Sequence, residues 1–296
     1  MQEKHQTKFT QINIQKPWDG KTIEELITKN WRVPKKLVHQ LRMEKSIRVN
    51  SEVANFSKRL AFGDRLSLPI LEERDEHRRK YPLRIDVLYE DDHLLIVNKP
   101  AGIKTHPNHP EEYDTLVNAI AYTLGNRRDD SISPIHRLDQ DTTGIVLFAK
   151  HIYMKTMLDR MLEERNIRRT YVAYVQGKGK GGTIEANIGR DRHHPTRRRV
   201  SSTGKRAVTH YSVIRYHSQK NITEIRCHLD TGRTHQIRVH LAHIGHPLVG
   251  DRLYGGKSMF HRQALHANRI VFIHPFTLEK IDIQAPFLDD MDQLFI

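Results

Sequence analysis

Apolar residues recur at two different intervals along this chain of 296 residues, and the intervals sort it into helices and strands. Near the N-terminus, Thr22-Ile-Glu-Glu-Leu-Ile-Thr-Lys29 sets Ile23, Leu26 and Ile27 on one helical face, and residues 33–42 do the same with Leu37, Val38 and Leu41. Two short helices are predicted there. Residues 46–50 and 65–68 alternate instead and can pair as strands, with Gly63-Asp64 as turn material. Further on, residues 94–97 read as a buried strand ending at the turn Lys99-Pro-Ala-Gly102, and residues 115–122 return to helical spacing. A strand at 145–149 precedes a helix whose Met154, Met157, Leu158 and Met161 read as core filling. The run 169–175 alternates, with Tyr171, Ala173 and Val175 on one face and Val172 and Tyr174 on the other. A last alternating run, 222–229, leads to a helix carrying Ile237, Leu241 and Ile244 that stops at Gly245, with Pro247 just beyond.

Strands outnumber helices and do not alternate with them, which predicts an α+β fold with a largely antiparallel mixed sheet. Residues 71–81 are nearly all charged and read as a solvated linker. They place a boundary near residue 80, between a small α+β domain (1–80, linker included) and a large domain (81–296).

Composition narrows the class. With 37% apolar residues the chain can bury a core without covalent staples. Lys and Arg outnumber Asp and Glu by 49 to 35, a formal charge of +14, and so point to an extended anionic partner, with nucleic acid the leading candidate. An acidic membrane face would attract the same charge, but no window approaches the ~18 consecutive apolar residues of a spanning helix. Residues 1–8 hold no apolar signal region, and the single cysteine, Cys227, can form neither an internal disulfide nor a cysteine-based zinc site. These features predict a reduced, cytoplasmic protein, and nothing in the chain demands a dimer.

Several suggestive spacings fail. Gly250-Asp-Arg-Leu-Tyr-Gly-Gly-Lys-Ser258 resembles a phosphate loop but has Asp251 where glycine is needed. Gly177-Lys-Gly-Lys-Gly-Gly182 lacks the strand, helix and downstream acid of a dinucleotide site and reads as a flexible basic turn. His235, His240, His243 and His246 look like metal ligands, yet on a helix residues 235 and 240 lie about 140° apart and no cysteine partners them, so no metal is expected. The basic stretch 190–199 is dense enough to contact phosphates through Arg197, Arg198 and Arg199; a merely solubilising loop is the alternative. No serine elbow, no thiol beside a base and no nucleotide pocket appears.

What remains is Pro134-Ile-His-Arg-Leu-Asp-Gln-Asp-Thr-Thr-Gly144, which places Asp139 between a cation and a glycine turn. A carboxylate held beside guanidinium groups stays ionised at neutral pH, and their donors fix its geometry, so it is ready to act as nucleophile or base.

Two resemblances extend this reading. Lys35, Lys36, Arg42, Lys45 and Arg48 gather around the second helix of the first part, a pattern that resembles the S4-type RNA-binding domain, whose basic helix pair faces structured RNA. Such domains usually carry a glycine after the Val-Asn pair, where this chain has Ser51. A small α+β module with an ordinary solvated face is the alternative. In the second part, residues 134–150, with their His-Arg-Leu-Asp core and Thr-Thr-Gly turn, resemble the signature of the RluA family of RNA pseudouridine synthases. Residues 91–102, 169–177 and 229–255 resemble that family's other blocks, in the family's order. The common family form has serine at Thr143, and threonine keeps the hydroxyl.

The RluA resemblance implies isomerisation of uridine in RNA to pseudouridine, a reaction that loses no atom and needs no cofactor. Joined to an S4-like domain, it suggests large-subunit ribosomal RNA as substrate. It implies Asp139 as the catalytic aspartate, Tyr171 as a stacking partner for uracil that can assist the final proton removal, and Arg238 as the cation paired with Asp139. Arg233 and His235 would shape the site or touch RNA. Arg137 would occupy the space left by the extruded base. The alternatives are that Tyr171 is a core strand residue and that Arg137 pairs with Asp139. A non-catalytic RNA-binding or ribosome-assembly protein with a degenerate synthase domain explains the charge equally well, but not the joint presence of Asp139, Tyr171 and Arg238. An acidic-residue hydrolase would want a second carboxylate, for which Asp141 is the nearby candidate.

Overall fold

The computed structural model describes residues 8–70, 79–125, 132–288 and 290–295; most of the expected linker, 71–78, lies outside the described residues. The N-terminal part contains β1 (Phe9–Asn13), α1 (Ile23–Glu25, continued by a π-helical turn, Leu26–Asn30), α2 (Lys35–Glu44), β2 (Arg48–Val49), β3 (Glu52–Val53) and β4 (Arg65–Pro69). Thr22 starts α1 with a capping box: its hydroxyl accepts from the Glu25 amide while the Glu25 carboxylate accepts from the Thr22 amide. The apolar face foreseen on the helices is the buried one, with Ile23, Leu26, Ile27, Val38 and Leu41 in the core and Leu37 packed against it. The strands form an antiparallel sheet ordered β1-β4-β2-β3, in which Val49 lies opposite Leu66. The pairing expected of residues 46–50 and 65–68 is therefore present.

A two-residue turn joins β2 to β3, with Val49 facing Glu52 across it. Both turn residues are left-handed, Asn50 at φ 50° and Ser51 at φ 75°. Asparagine tolerates this backbone, and its side chain is tied down by Asp64 and the Arg65 amide. Serine gains nothing there, which gives the Ser51 departure a physical consequence. The variant Ser51→Gly is expected to raise stability by about 1 kcal/mol, read as a shift of the urea midpoint at constant slope. An unchanged or lower midpoint would contradict it.

The larger part holds β5 (Asp86–Glu90), β6 (Leu94–Lys99), α3 (Leu116–Leu124), β7 (Ser133–Pro134), β8 (Thr143–Ala149), α4 (Ile152–Glu163) and β9 (Arg168–Gln176). After these come β10 (Gly182–Glu185), β11 (Ile188–Arg190), β12 (Arg198–Val200), β13 (Val208–His217), β14 (Ile222–Leu229), α5 (Gln236–His243), β15 (Leu265–Ile273) and β16 (Lys280–Gln284). One ten-stranded mixed sheet runs β10-β13-β14-β9-β15-β8-β6-β5, with β16 on β15 and β7 on β8. Its one parallel pair among the described residues is β8 with β15; the rest is antiparallel, as the irregular order of strands and helices predicted. Alternation on β9 divides two cores as foreseen: Tyr171, Ala173 and Val175 belong to the main cluster, Val172 and Tyr174 to a smaller one behind it. The helix α5 ends at Gly245, whose φ is 82° and whose amide bonds to the Ala242 carbonyl.

The two sheets share a continuous apolar cluster. Trp31 packs on Phe276 at 5.0 Å, the Tyr153 hydroxyl donates to the Pro69 carbonyl at 2.6 Å, and Arg160 donates to the Trp31 carbonyl at 2.6 Å. Thr10 reaches His93 and His151 at 3.3 and 3.2 Å. Burial pushes the pKa of His93 down to about 4 and that of His151 to about 3, so both sit in this contact uncharged.

Candidate active site

Asp139 lies in the turn that feeds β8, and a buried frame holds that turn. The Thr142 amide donates to the Asp139 carbonyl at 3.1 Å, closing it. Lys99, at the end of β6 and fully buried, donates through Nζ to the carbonyls of Pro100, Gln140 and Thr142 at 2.7–3.0 Å. Burial pushes the Lys99 pKa down to about 7, against the opposing pull of Asp141 and Asp139. On the other flank Thr105 exchanges hydrogen bonds with the backbone of Leu138. Beyond the turn, the Thr143 hydroxyl accepts from Arg262 at 3.1 Å and meets His266 at 2.8 Å, so the hydroxyl retained in place of serine is in use. Gly144 follows at φ 107°, and a Cβ there would come within 2.3 Å of the Ala267 carbonyl oxygen. The glycine of the motif is required because β15 passes in direct contact.

Arg238 reaches Asp139 from α5, 99 residues away in sequence, with Nη1 to Oδ2 at 3.1 Å. The rest of its fork is spent on Asp251: Nε donates to Oδ2 at 2.7 Å and Nη2 to Oδ1 at 2.9 Å. Burial works against the Arg238 cation, but the Asp251 hydrogen bonds and the charges of Asp251 and Asp139 outweigh it and raise its pKa. Asp139 Oδ1 accepts no hydrogen bond among the described residues, and His235 Nε2 stands 3.9 Å from it. His235 is half-buried, and burial first, then the Arg238 charge, lower its pKa against the pull of Asp139.

An open cleft of about 1100 Å³ receives these groups. Asp139, Tyr171, Arg238, Arg137, Arg233 and His235 all line it, so the structure brings these six sequence candidates to one place. Tyr171 is buried on β9, and its phenol has no hydrogen-bond partner among the described residues. Arg137 is exposed, and among the described residues the cation paired with Asp139 is Arg238 rather than Arg137. Arg233 donates to the Arg206 carbonyl at 3.1 Å. Arg165, Arg168, Arg169 and Arg269, not singled out in the sequence, also line it, Arg165 paired with Asp230 and Arg269 with Asp282.

The remaining candidates lie elsewhere. Lys35, Lys36 and Arg42 are exposed on α2, where Arg42 pairs with Glu24 and stacks over Phe56 at 5.0 Å. Arg197, Arg198 and Arg199 belong to the hairpin of β11 and β12; Arg197 pairs with Asp191 at 2.7 Å, and the Arg198 amide donates to the Tyr254 hydroxyl at 2.9 Å. The other histidines suspected of binding metal are dispersed, His240 on Thr209 and the Ala186 carbonyl, His246 on the Gln176 carbonyl. Sequence reading missed Asp251, Tyr254, Lys99 and Arg262. Asp251 was visible only as the residue that spoils a phosphate loop.

Comparison with known proteins places the chain in a family. The profile described as RNA pseudouridylate synthase matches residues 93–243, and that of the RluD ribosomal pseudouridine synthase N-terminal domain matches residues 10–66. The chain belongs to the RNA pseudouridylate synthase family. It is 43% identical over 288 residues to the uncharacterized RNA pseudouridine synthase YhcT of Bacillus subtilis, covering 96% of this chain and 95% of that one. It is also 41% identical over 235 residues to ribosomal large subunit pseudouridine synthase D of Xylella fastidiosa, covering 71% and 68%. Among solved structures, human RNA Pseudouridylate Synthase Domain Containing 1 superimposes with a TM-score of 0.57 at 25% identity, over 72% of this synthase and 94% of that chain. The resemblance read from the four sequence blocks is thus correct, as is the α+β fold. Among the described residues of this RNA-modifying enzyme, no helix is long and apolar enough to cross a membrane.

Proposed function

We propose that this synthase isomerises uridines of large-subunit ribosomal RNA to pseudouridine through Asp139, without a cofactor. The observation that carries the assignment is the Asp139 carboxylate in an arginine-lined cleft, held on Oδ2 by Arg238 while Oδ1 has no hydrogen bond among the described residues, whereas Asp230 and Asp282 in the same cleft are paired with Arg165 and Arg269. The reaction breaks the bond from N1 to C1′, turns the base, joins C5 to C1′ and moves one proton from C5 to the solvent side while N1 gains one. Atoms and electrons balance within the nucleotide, so no redox partner is required. Tyr171 presents an aromatic face to the uracil, and Arg137, exposed at the cleft, fills the gap when the uridine leaves its stack. The cleft arginines hold the flanking phosphates. Residues 1–80 serve as the S4-like RNA-binding domain and residues 81–296 as the catalytic domain, with the hairpin carrying Arg197, Arg198 and Arg199 as a further phosphate contact. The ribosomal substrate is supported by the relatives named for the large subunit and by the match to the RluD N-terminal domain.

The test is to incubate the purified chain with large-subunit ribosomal RNA and with transfer RNA transcripts and to map pseudouridines in both. Discrete new sites in the ribosomal RNA are expected; sites confined to transfer RNA would overturn the substrate assignment. Replacing Lys35 and Lys36 together by alanine is expected to weaken binding to the ribosomal substrate and to reduce its logarithmic salt slope by about 2. An unchanged slope would remove α2 from the RNA interface.

A further inference from the structure

The loop that failed as a phosphate site, Gly250-Asp-Arg-Leu-Tyr-Gly-Gly256, carries a second residue aimed at the catalytic constellation. Tyr254 packs its ring beneath the Arg238 guanidinium at 5.0 Å and meets the His235 ring edge-on. Its hydroxyl accepts from the Arg198 amide at 2.9 Å and lies 2.9 Å from His235 Nδ1. Among the described residues, Nδ1 is the acceptor within reach of the Tyr254 proton. The hydroxyl therefore donates to Nδ1, and a neutral imidazole so engaged carries its own proton on Nε2. That Nε2–H is the atom facing Asp139 Oδ1, 3.9 Å away.

A second observation concerns the backbone. His235 caps α5 in the left-handed region, φ 59° and ψ 21°, a conformation uncommon outside glycine that histidine, like asparagine, adopts more readily than most residues. The left-handed turn sets where the imidazole leaves the backbone at the start of α5.

We propose that Tyr254 is a positioning residue for the isomerisation, fixing the tautomer and aim of His235 so that its Nε2–H serves as the second donor to Asp139. Arg238 holds Oδ2 and His235 addresses Oδ1; donors on both oxygens fix the plane of the carboxylate, which one donor alone leaves free to rotate. The two atoms must close by about 1 Å to form a normal hydrogen bond, a tightening typical of catalytic contacts when substrate arrives. The Arg198 amide belongs to the basic hairpin, so RNA seated on that hairpin bears directly on Tyr254 and through it on His235. This inference rests on Asp139 being the catalytic carboxylate.

The experiment is a double-mutant cycle on the full chain with Tyr254→Phe and His235→Asn, the latter chosen because asparagine accepts the left-handed backbone. Single-turnover conversion and KM for the ribosomal RNA substrate are measured per RNA-binding-competent molecule, so that loss of folded protein does not enter the rates. Tyr254→Phe keeps the ring on Arg238 and removes only the hydroxyl; it is expected to lower the rate about tenfold with KM unchanged. His235→Asn is expected to lose at least as much, and the double variant no more than His235→Asn alone. A wild-type rate in Tyr254→Phe, a loss confined to KM, or losses that multiply in the double variant would each overturn the proposal. Asp139→Asn, run beside them, separates the two claims. Activity in that variant defeats the assignment of Asp139 itself, whereas an inactive Asp139→Asn beside a fully active Tyr254→Phe defeats only the role of Tyr254.

Discussion

Replacing Arg238 by methionine is expected to cost about 3–5 kcal/mol of stability and to abolish activity together. Asp251 is 1% exposed and receives two of the Arg238 donors. Without the guanidinium a carboxylate is left in the interior with its charge uncompensated, which costs far more than the ion pair contributes when intact. Arg238→Lys does not repair this, since one ammonium cannot serve both Asp251 oxygens and Asp139 at once. Removing the buried charge as well, in Arg238→Met with Asp251→Leu, is expected to restore most of the lost stability and none of the activity, because Asp139 still lacks its partner. Urea denaturation and single-turnover conversion on the three variants separate the two effects. Activity that recovers with stability would mean that Arg238 contributes through the fold alone.

The fold was legible wherever a strand or helix buries one face of its own. The run 222–229 has the bounds the pattern predicted for β14, and its alternation is realised at Ile225 and Cys227, which are buried, against Arg226 and His228, which are exposed. By contrast β1, Phe9-Thr-Gln-Ile-Asn13, owes its strand to pairing with β4, and no local period announces that partner. The parallel contact of β15 with β8 was equally hidden, although Gly144 marks the place where the two backbones touch. In the site, the trio of Asp139, Tyr171 and Arg238 could be named from resemblance, while physical reading of the residues went only as far as a carboxylate beside an arginine. Lys99 escaped because lysine is ordinarily a surface residue, and only the folded turn supplies three carbonyls to a buried ammonium. Asp251 escaped for a related reason. Its partner lies one loop away, and a sequence records neither the direction of a guanidinium fork nor which acid fills it.

Asp139→Asn is expected to lower pseudouridine formation by on the order of 10⁴-fold or more, with fold and RNA affinity retained. Asparagine has the shape of aspartate and still offers an oxygen to Arg238 Nη1, and the side chain is partly exposed, so the stability change should stay within about 1 kcal/mol. Loss of one negative charge in an arginine-lined cleft leaves the attraction for phosphate undiminished. What disappears is the anionic oxygen, the property that the proposed role assigns to this residue. The decisive measurement is therefore single-turnover conversion of uridine to pseudouridine in large-subunit ribosomal RNA by Asp139→Asn, at protein concentrations where binding is shown to be complete. The account predicts bound RNA with no pseudouridine above background; conversion at the wild-type rate would contradict it.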